Sequence, residues 1–204
     1  QFGNCQIHLE WLAPAGYEGP WYNRGNNGVM LMGLYEIQIF DSFNEKIYPD
    51  GQAAAIYGQT PPLVNVCRKP GEWQSFDIVF TAPVFNGGSL AAPARVTMFH
   101  NGVLVHLNET IHGETGHRIL PAYRQKISQG PLLLSGHDCP VQFRNIWVRP
   151  LGLFSRPGGA KKGGPARRAW HGKITTTSFE FRERYIADIS LFIMRTSTEQ
   201  LSRR

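Results

Sequence analysis

Apolar and polar residues alternate along most of the first 150 positions, at the two-residue period of half-buried strands. In Cys5-Gln6-Ile7-His8-Leu9-Glu10-Trp11, the apolar Ile7, Leu9 and Trp11 share one face and Gln6, His8 and Glu10 the other. A Pro/Gly-rich loop leads from Ala13 to Gly28 into Val29-Met30-Leu31-Met32, Gly33, and then Leu34-Tyr35-Glu36-Ile37-Gln38-Ile39-Phe40-Asp41. Leu34 and Ile37 differ by an odd number of positions, so unbroken alternation cannot bury Leu34, Ile37 and Ile39 together, which implies a bulge or a change of environment. Ser42 to Pro70 reads as a long excursion of loops and short extended pieces, the kind of segment that carries function on a β scaffold. Strands resume at Trp73 to Thr81, Ala94 to His100, Val103 to Leu107, Gly130 to Leu134 and Val141 to Arg149. Asn101-Gly102 predicts a tight hairpin, because both residues tolerate positive φ. In the last strand, alternation puts Phe143, Asn145 and Trp147 on one face and Arg144 on the other. No stretch before residue 150 has helical periodicity, so an all-β sandwich or barrel is predicted.

From Leu151 the pattern breaks into a linker, Arg156-Pro157-Gly158-Gly159-Ala160-Lys161-Lys162-Gly163-Gly164-Pro165. Beyond it, Ile174 to Phe181 and Ala187 to Met194 have strand-forming composition, the second being equally compatible with a helix. Three regions result: a β-sandwich domain over 1–151, a Gly/Pro/basic linker over 152–173 and a C-terminal extension over 174–204. Splitting the net charge of +6 changes its meaning: residues 1–150 hold 10 Lys/Arg and 11 Asp/Glu, and the remainder 11 and 4. The excess is a property of the tail, where a solvated basic segment is expected rather than a specific nucleic-acid site. Cys5, Cys67 and Cys139 are far apart and form no CxxC pair, so neither a zinc knuckle nor a redox motif is indicated. No apolar run is long enough to span a membrane as a helix, and no signal peptide opens the chain. Gln1-Phe2-Gly3-Asn4 runs straight into a strand, as expected for a chain that begins inside a domain or after processing.

Within this frame, Glu36 and Gln38 lie two apart and share a face, while Asp41 joins them only if a bulge intervenes. The plain alternative is a polar, solvent-facing sheet surface. Arg24, His100, His117 and His137 stand out only as polar groups beside these strands and loops. His100 could equally cap its strand, and His117 and His137 could be plain loop residues. Asp50-Gly51 and Asp41-x-x-Asn44 fall short of a full calcium loop, so no metal is implied.

Two stretches, Gly25-Asn26-Asn27-Gly28-Val29-Met30-Leu31-Met32-Gly33-Leu34-Tyr35-Glu36-Ile37-Gln38 and Pro131-Leu132-Leu133-Leu134 through Phe143-Arg144-Asn145-Ile146-Trp147-Val148-Arg149-Pro150, carry a resemblance. With Asp50 to Gly58 and Lys69 to Gln74 between them, the chain resembles the 3-keto-disaccharide hydrolase domain family from about Phe2 to Leu151. The resemblance implies a concanavalin-like jelly-roll sandwich, here lacking the family's early strands. The tail from Gly152 would then complete the sandwich within the chain, or by exchange with a second copy in a homo-oligomer. It further implies a glycoside hydrolase acting on glucosides or 3-keto-glucosides, with no cofactor, a saccharide as partner, and a secreted or periplasmic location. Glu36, Asp41 and His137 become the candidate catalytic groups. Arg24, Gln38, Tyr57, Trp73, His100 and His117 become the candidate substrate-binding groups. Glu36-x-Gln38-x-x-Asp41 is also similar to the E-x-D-x-x-E strand of family 16 glycoside hydrolases, so a direct β-glucan hydrolase stands as the alternative. A sugar-binding module without turnover is the third reading.

Overall fold

The computed structural model describes residues 1–44 and 47–152 and the backbone of 192–193. The remaining predicted strands of the tail, the linker and any role in oligomerisation lie outside the described residues. Within them there is no α-helix, only strands and two 3-10 turns at Trp21–Asn23 and Pro49–Gly51. The chain forms β1 (Cys5–Leu12), β2 (Asn27–Leu31), β3 (Tyr35–Ile39), β4 (Gln74–Thr81), β5 (Val84–Asn86), β6 (Ser89–Ala92), β7 (Arg95–His100), β8 (Val103–Thr110), β9 (Leu133–Gly136), β10 (Gln142–Pro150) and β11 (Phe192–Ile193). A six-stranded sheet runs β11-β10-β1-β4-β7-β8, a three-stranded sheet runs β3-β2-β9, and β5-β6 is a separate hairpin.

The two larger sheets bury one common core, as expected of a concanavalin-like sandwich. Ile7, Leu9, Trp11, Phe76, Ile78, Phe80, Val96 and Met98 come from the larger sheet, and Val29, Leu31, Tyr35, Ile37, Ile39 and Leu134 from the smaller. Each fully buried side chain of this size is worth roughly 1.5–3 kcal/mol of transfer free energy. The period-two reading of β1 holds without exception, its burial alternating residue by residue. Asn101 and Gly102 turn the β7-β8 hairpin with φ of 52° and 80°.

Of the two expectations for the Leu34–Ile39 stretch, the change of environment holds and the bulge does not, while a bulge appears in the last long strand, where none is predicted. β3 pairs with β2 from Asn27↔Ile39 to Leu31↔Tyr35 without a register shift, so the predicted bulge after Leu34 is absent. Leu34 instead belongs to the turn between the strands, its N–H donating to the Leu31 carbonyl at 3.0 Å. The bulge lies in β10, where the register with β1 jumps from His8↔Trp147 to Glu10↔Arg144 and Asn145 takes φ 50°. Two residues there face one, which turns Arg144 and Asn145 outward together and leaves Phe143 and Ile146 in the core. The expected partition of Phe143 with Asn145 is therefore wrong.

Candidate functional site

Alternation along β3 sends Tyr35, Ile37 and Ile39 into the core and Glu36 and Gln38 to the outer face of the three-stranded sheet. On that face Glu36 is level with Met30, and Gln38 is level with Gly28, which in turn pairs with Ser135. Gly28 is the opening that lets Glu36 lie down. A Cβ at this position would stand 2.2 Å from Glu36 Oε1 and 2.7 Å from Ser135 Oγ. The carboxylate thus crosses β2 diagonally toward the Ser135 hydroxyl, which also lies 3.5 Å from the Gly28 carbonyl as a donor to it. Burial raises its pKa to about 7, against a smaller lowering by the Ser135 hydrogen bond. A carboxyl titrating near neutrality with no cation paired to it among the described residues suits proton transfer.

The backbone of Glu36 is fixed on both sides of its peptide. Its N–H donates to Thr115 Oγ1 at 2.9 Å, and its carbonyl accepts from the Tyr57 N–H at 3.0 Å. These two bonds bring the 111–121 loop and the Ala53–Tyr57 segment against the free edge of β3. Between them lies an open cleft of about 410 Å³, lined by Tyr48, Asp50, Tyr57 and His117 together with the 118–121 turn. Tyr48 donates to the Tyr57 hydroxyl at 3.3 Å, and that hydroxyl meets His117 Nδ1 at 2.8 Å. Burial first, then the Tyr48 hydroxyl and nearby charges that include Glu36, push the Tyr57 phenol upward, so it stays protonated at neutral pH. Tyr48, Tyr57 and His117 thus form a hydrogen-bonded chain in the cleft; the Glu36 side chain is not part of the lining, although its charge is felt at the Tyr57 phenol.

The other sequence candidates separate. Gln38 is buried on the Glu36 face, and its Oε1 has no partner among the described residues. Asp41 lies past the end of β3, buried, with Oδ2 2.9 Å from Arg24 Nη2, and no bulge turns it toward Glu36. His137 is exposed just past the end of β9, two residues beyond Ser135 in the chain. His100 is on the core side of β7, edge-on to Phe76 and bonded to Gln74 Oε1 at 2.9 Å. Burial lowers its pKa to about 3, so it is a neutral core group. Trp73 precedes β4 in the other sheet and packs under the Arg144 guanidinium at 4.0 Å. His100 and Trp73 thus lie away from the Glu36 face. Gly28, Ser135 and Thr115 escaped the sequence reading, because small and hydroxyl residues beside apolar runs give no signal of what they face. Among the described residues no group of three or more His, Cys, Asp or Glu is arranged to hold a metal ion. Cys5, Cys67 and Cys139 are free and buried, Cys5 being pushed up to about 12 by its burial. No helix among the described residues is long and apolar enough to cross a membrane.

Residues 1–149 match the family model of the 3-keto-alpha-glucoside-1,2-lyase-like domain. The crystal structure of a "putative glycosyl hydrolase" from Parabacteroides distasonis ATCC 8503 is 41% identical with a TM-score of 0.70, over 74% of this chain and 65% of that one. The chain therefore spans slightly less than two thirds of that relative. A second structure from the same organism, with the same description, is 20% identical with a TM-score of 0.51 over 74% and 79% of the two chains, a likeness of fold. No curated protein matches the chain.

Proposed function

The chain belongs to the 3-keto-alpha-glucoside-1,2-lyase-like domain family, a glycosyl hydrolase-like group, and from that premise we propose that it cleaves 3-keto-glucosides by β-elimination with Glu36 as the base. The observation that carries the proposal is the Glu36 carboxyl, brought to a pKa of about 7 by burial over Gly28, with its charge felt at Tyr57, which lines the cleft at the edge of β3. A ketone at C3 acidifies the C2 proton. Glu36 takes that proton, the electron pair forms the enolate on O3, and its return makes the C1=C2 bond while O1 departs with the C1–O1 pair. The departing oxygen takes a proton from the Tyr48-Tyr57-His117 path. Addition of water across C1=C2 would then complete hydrolysis. Gln38 is buried on the same face as Glu36 and supports it from within the sheet, while Arg24 and His137 are the remaining donors for the ketone oxygen.

Direct retaining hydrolysis needs a second carboxylate about 5–5.5 Å from the first. Asp41, the group that reading relied on, is engaged by Arg24. The two enzymatic readings and the binding module separate in one assay. With a 3-keto-glucoside in D2O, wild type should wash deuterium into C2 and release the aglycone, and Glu36→Gln should do neither while still binding sugar. Cleavage of unmodified glucans, or unchanged turnover by Glu36→Gln, would overturn the proposal. Sugar binding without any exchange or release would favour the module.

A further inference from the structure

We propose that the outer face of the six-stranded sheet holds a second, non-catalytic site for a neutral saccharide, on the strip between Trp73 and Trp147. The β10 bulge builds it. Without the extra residue Asn145 would turn inward with Phe143; with it, Asn145 stands outward beside Arg144, at the cost of a positive φ on a non-glycine residue. Its side chain closes a continuous hydrogen-bonded line across three strands. Arg144 Nε donates to Glu10 Oε2 at 2.6 Å, and Asn145 Nδ2 lies 3.0 Å from Glu10 Oε1 and 3.1 Å from His8 Nε2. His8 Nδ1 meets Asp77 Oδ1 at 2.7 Å. One arrangement satisfies every link: His8 carries its proton on Nδ1 for Asp77, and Asn145 gives one amide hydrogen to His8 and the other to Glu10. The Asn145 carbonyl is then directed away from the network on an exposed residue, as an acceptor held in place.

Aromatic rings bracket this line. His8 stacks on Trp147 with centroids 5.5 Å apart and planes at 17°, and Arg144 covers one face of Trp73. Both indoles are only partly buried, and by strand rise the span from Arg144 to Trp147 is roughly 7–10 Å, on the scale of one to two sugar rings. The chemistry selects a neutral ligand, since Arg144 is engaged by Glu10 and both carboxylates already accept hydrogen bonds. Fixed acceptors between flat rings are what pyranose hydroxyls and C–H faces require. Ordering this many long side chains on an outer face costs conformational entropy that the buried core does not need to recover there. The site lies across the core from Glu36 and does not depend on the elimination chemistry.

The test is a 15N-1H NMR titration of the full chain with maltose and with cellobiose as neutral probes, which reads binding without turnover. Resonances of β1, β4 and β10 around Asn145 and the Trp147 indole should shift, and Asn145→Gly should weaken binding there at least tenfold. Glycine accepts the same φ, so the bulge backbone should be kept, read as unshifted β1 and β10 resonances away from the site. Trp147→Ala gives the same loss by removing a ring. No shift on this face at millimolar sugar, shifts confined to the Glu36 cleft, or undiminished affinity in Asn145→Gly would overturn the site. Concentration-dependent shifts without sugar would assign the face to a second copy and overturn it equally.

Discussion

Glu10 and Glu36 are half-buried glutamates on opposite outer faces of one sandwich, and their surroundings push them in opposite directions. Burial raises both, but at Glu10 the bonds from Asn145 and Arg144 outweigh it and hold the carboxyl below the ordinary value. At Glu36 only the Ser135 hydroxyl opposes burial, and the group settles near neutrality. The difference arises in backbone features: an extra residue in β10 brings donors to Glu10, and a missing side chain at Gly28 lets Glu36 retreat from solvent. A carboxylate's availability for proton transfer follows from what the neighbouring strand presents, more than from its own place in the alternation.

The largest expected effect separates the two glutamates by activity. Glu36→Gln should lower kcat/KM on a 3-keto-glucoside by about 10³-fold, within the usual range for a lost general base. Glu10→Gln should change it less than about twofold, and equal losses would erase the distinction. Next comes stability. The folded pKa of Glu36 lies above its unfolded value, so its contribution is fully present below about pH 4.5 and is lost as the pH rises through about 7. Glu36→Gln should therefore be more stable than wild type at pH 8, by at most roughly 3 kcal/mol, and nearly equal to it at pH 4. Glu10 has the opposite sign: what it contributes is lost as the pH falls through its lowered pKa. Urea melts at the two pH values read both trends.

Gly28→Ala should act on geometry alone, with a loss of about 10- to 100-fold in kcat. A new methyl 2.2 Å from Oε1 forces the carboxylate off β2 and away from Ser135. The same substitution at Gly16, whose added methyl would meet nothing within 4 Å although its φ of 67° strains it, should affect stability and spare activity. Comparable activity losses in the two variants would reduce Gly28 to a general packing effect.

How much of this was legible follows from period and from partners. The strict alternation of Cys5–Leu12 and the Asn101-Gly102 turn are local, and the chain folds there as the pattern predicts. Glu36 and Gln38 were recognisable as outward neighbours for the same reason. Of a bulge or a change of environment at Leu34, the second holds, because Leu34 belongs to a turn that apolar composition cannot distinguish from a strand end, and the β10 bulge gives no signal in the alternation. His100 and Trp73 were drawn toward the sugar site by residue type, whereas Gln74 and Arg144, distant in sequence from one or both of them, fix each elsewhere. The Gly28 opening and the Ser135 bond join residues on three strands, and no spacing along one strand encodes them.

The smallest effect is expected at Ser135, and it tests the comparison most finely. Its hydroxyl lowers the Glu36 pKa by bonding the ionised form, as Arg144 and Asn145 do more strongly for Glu10. Ser135→Ala removes that bond and leaves burial unopposed, so the base should be protonated to a higher pH. The acidic limb of the kcat/KM profile then moves upward, with activity near pH 6 falling roughly two- to threefold, the scale of one modest hydrogen bond. Above the limb the base is ionised in both proteins, and the rates should converge or slightly favour the variant, whose carboxylate is the stronger base. A uniform loss at every pH would mean that Ser135 places the substrate or the strand. A shift of the limb to lower pH would contradict the assignment of the hydroxyl as donor to the carboxylate.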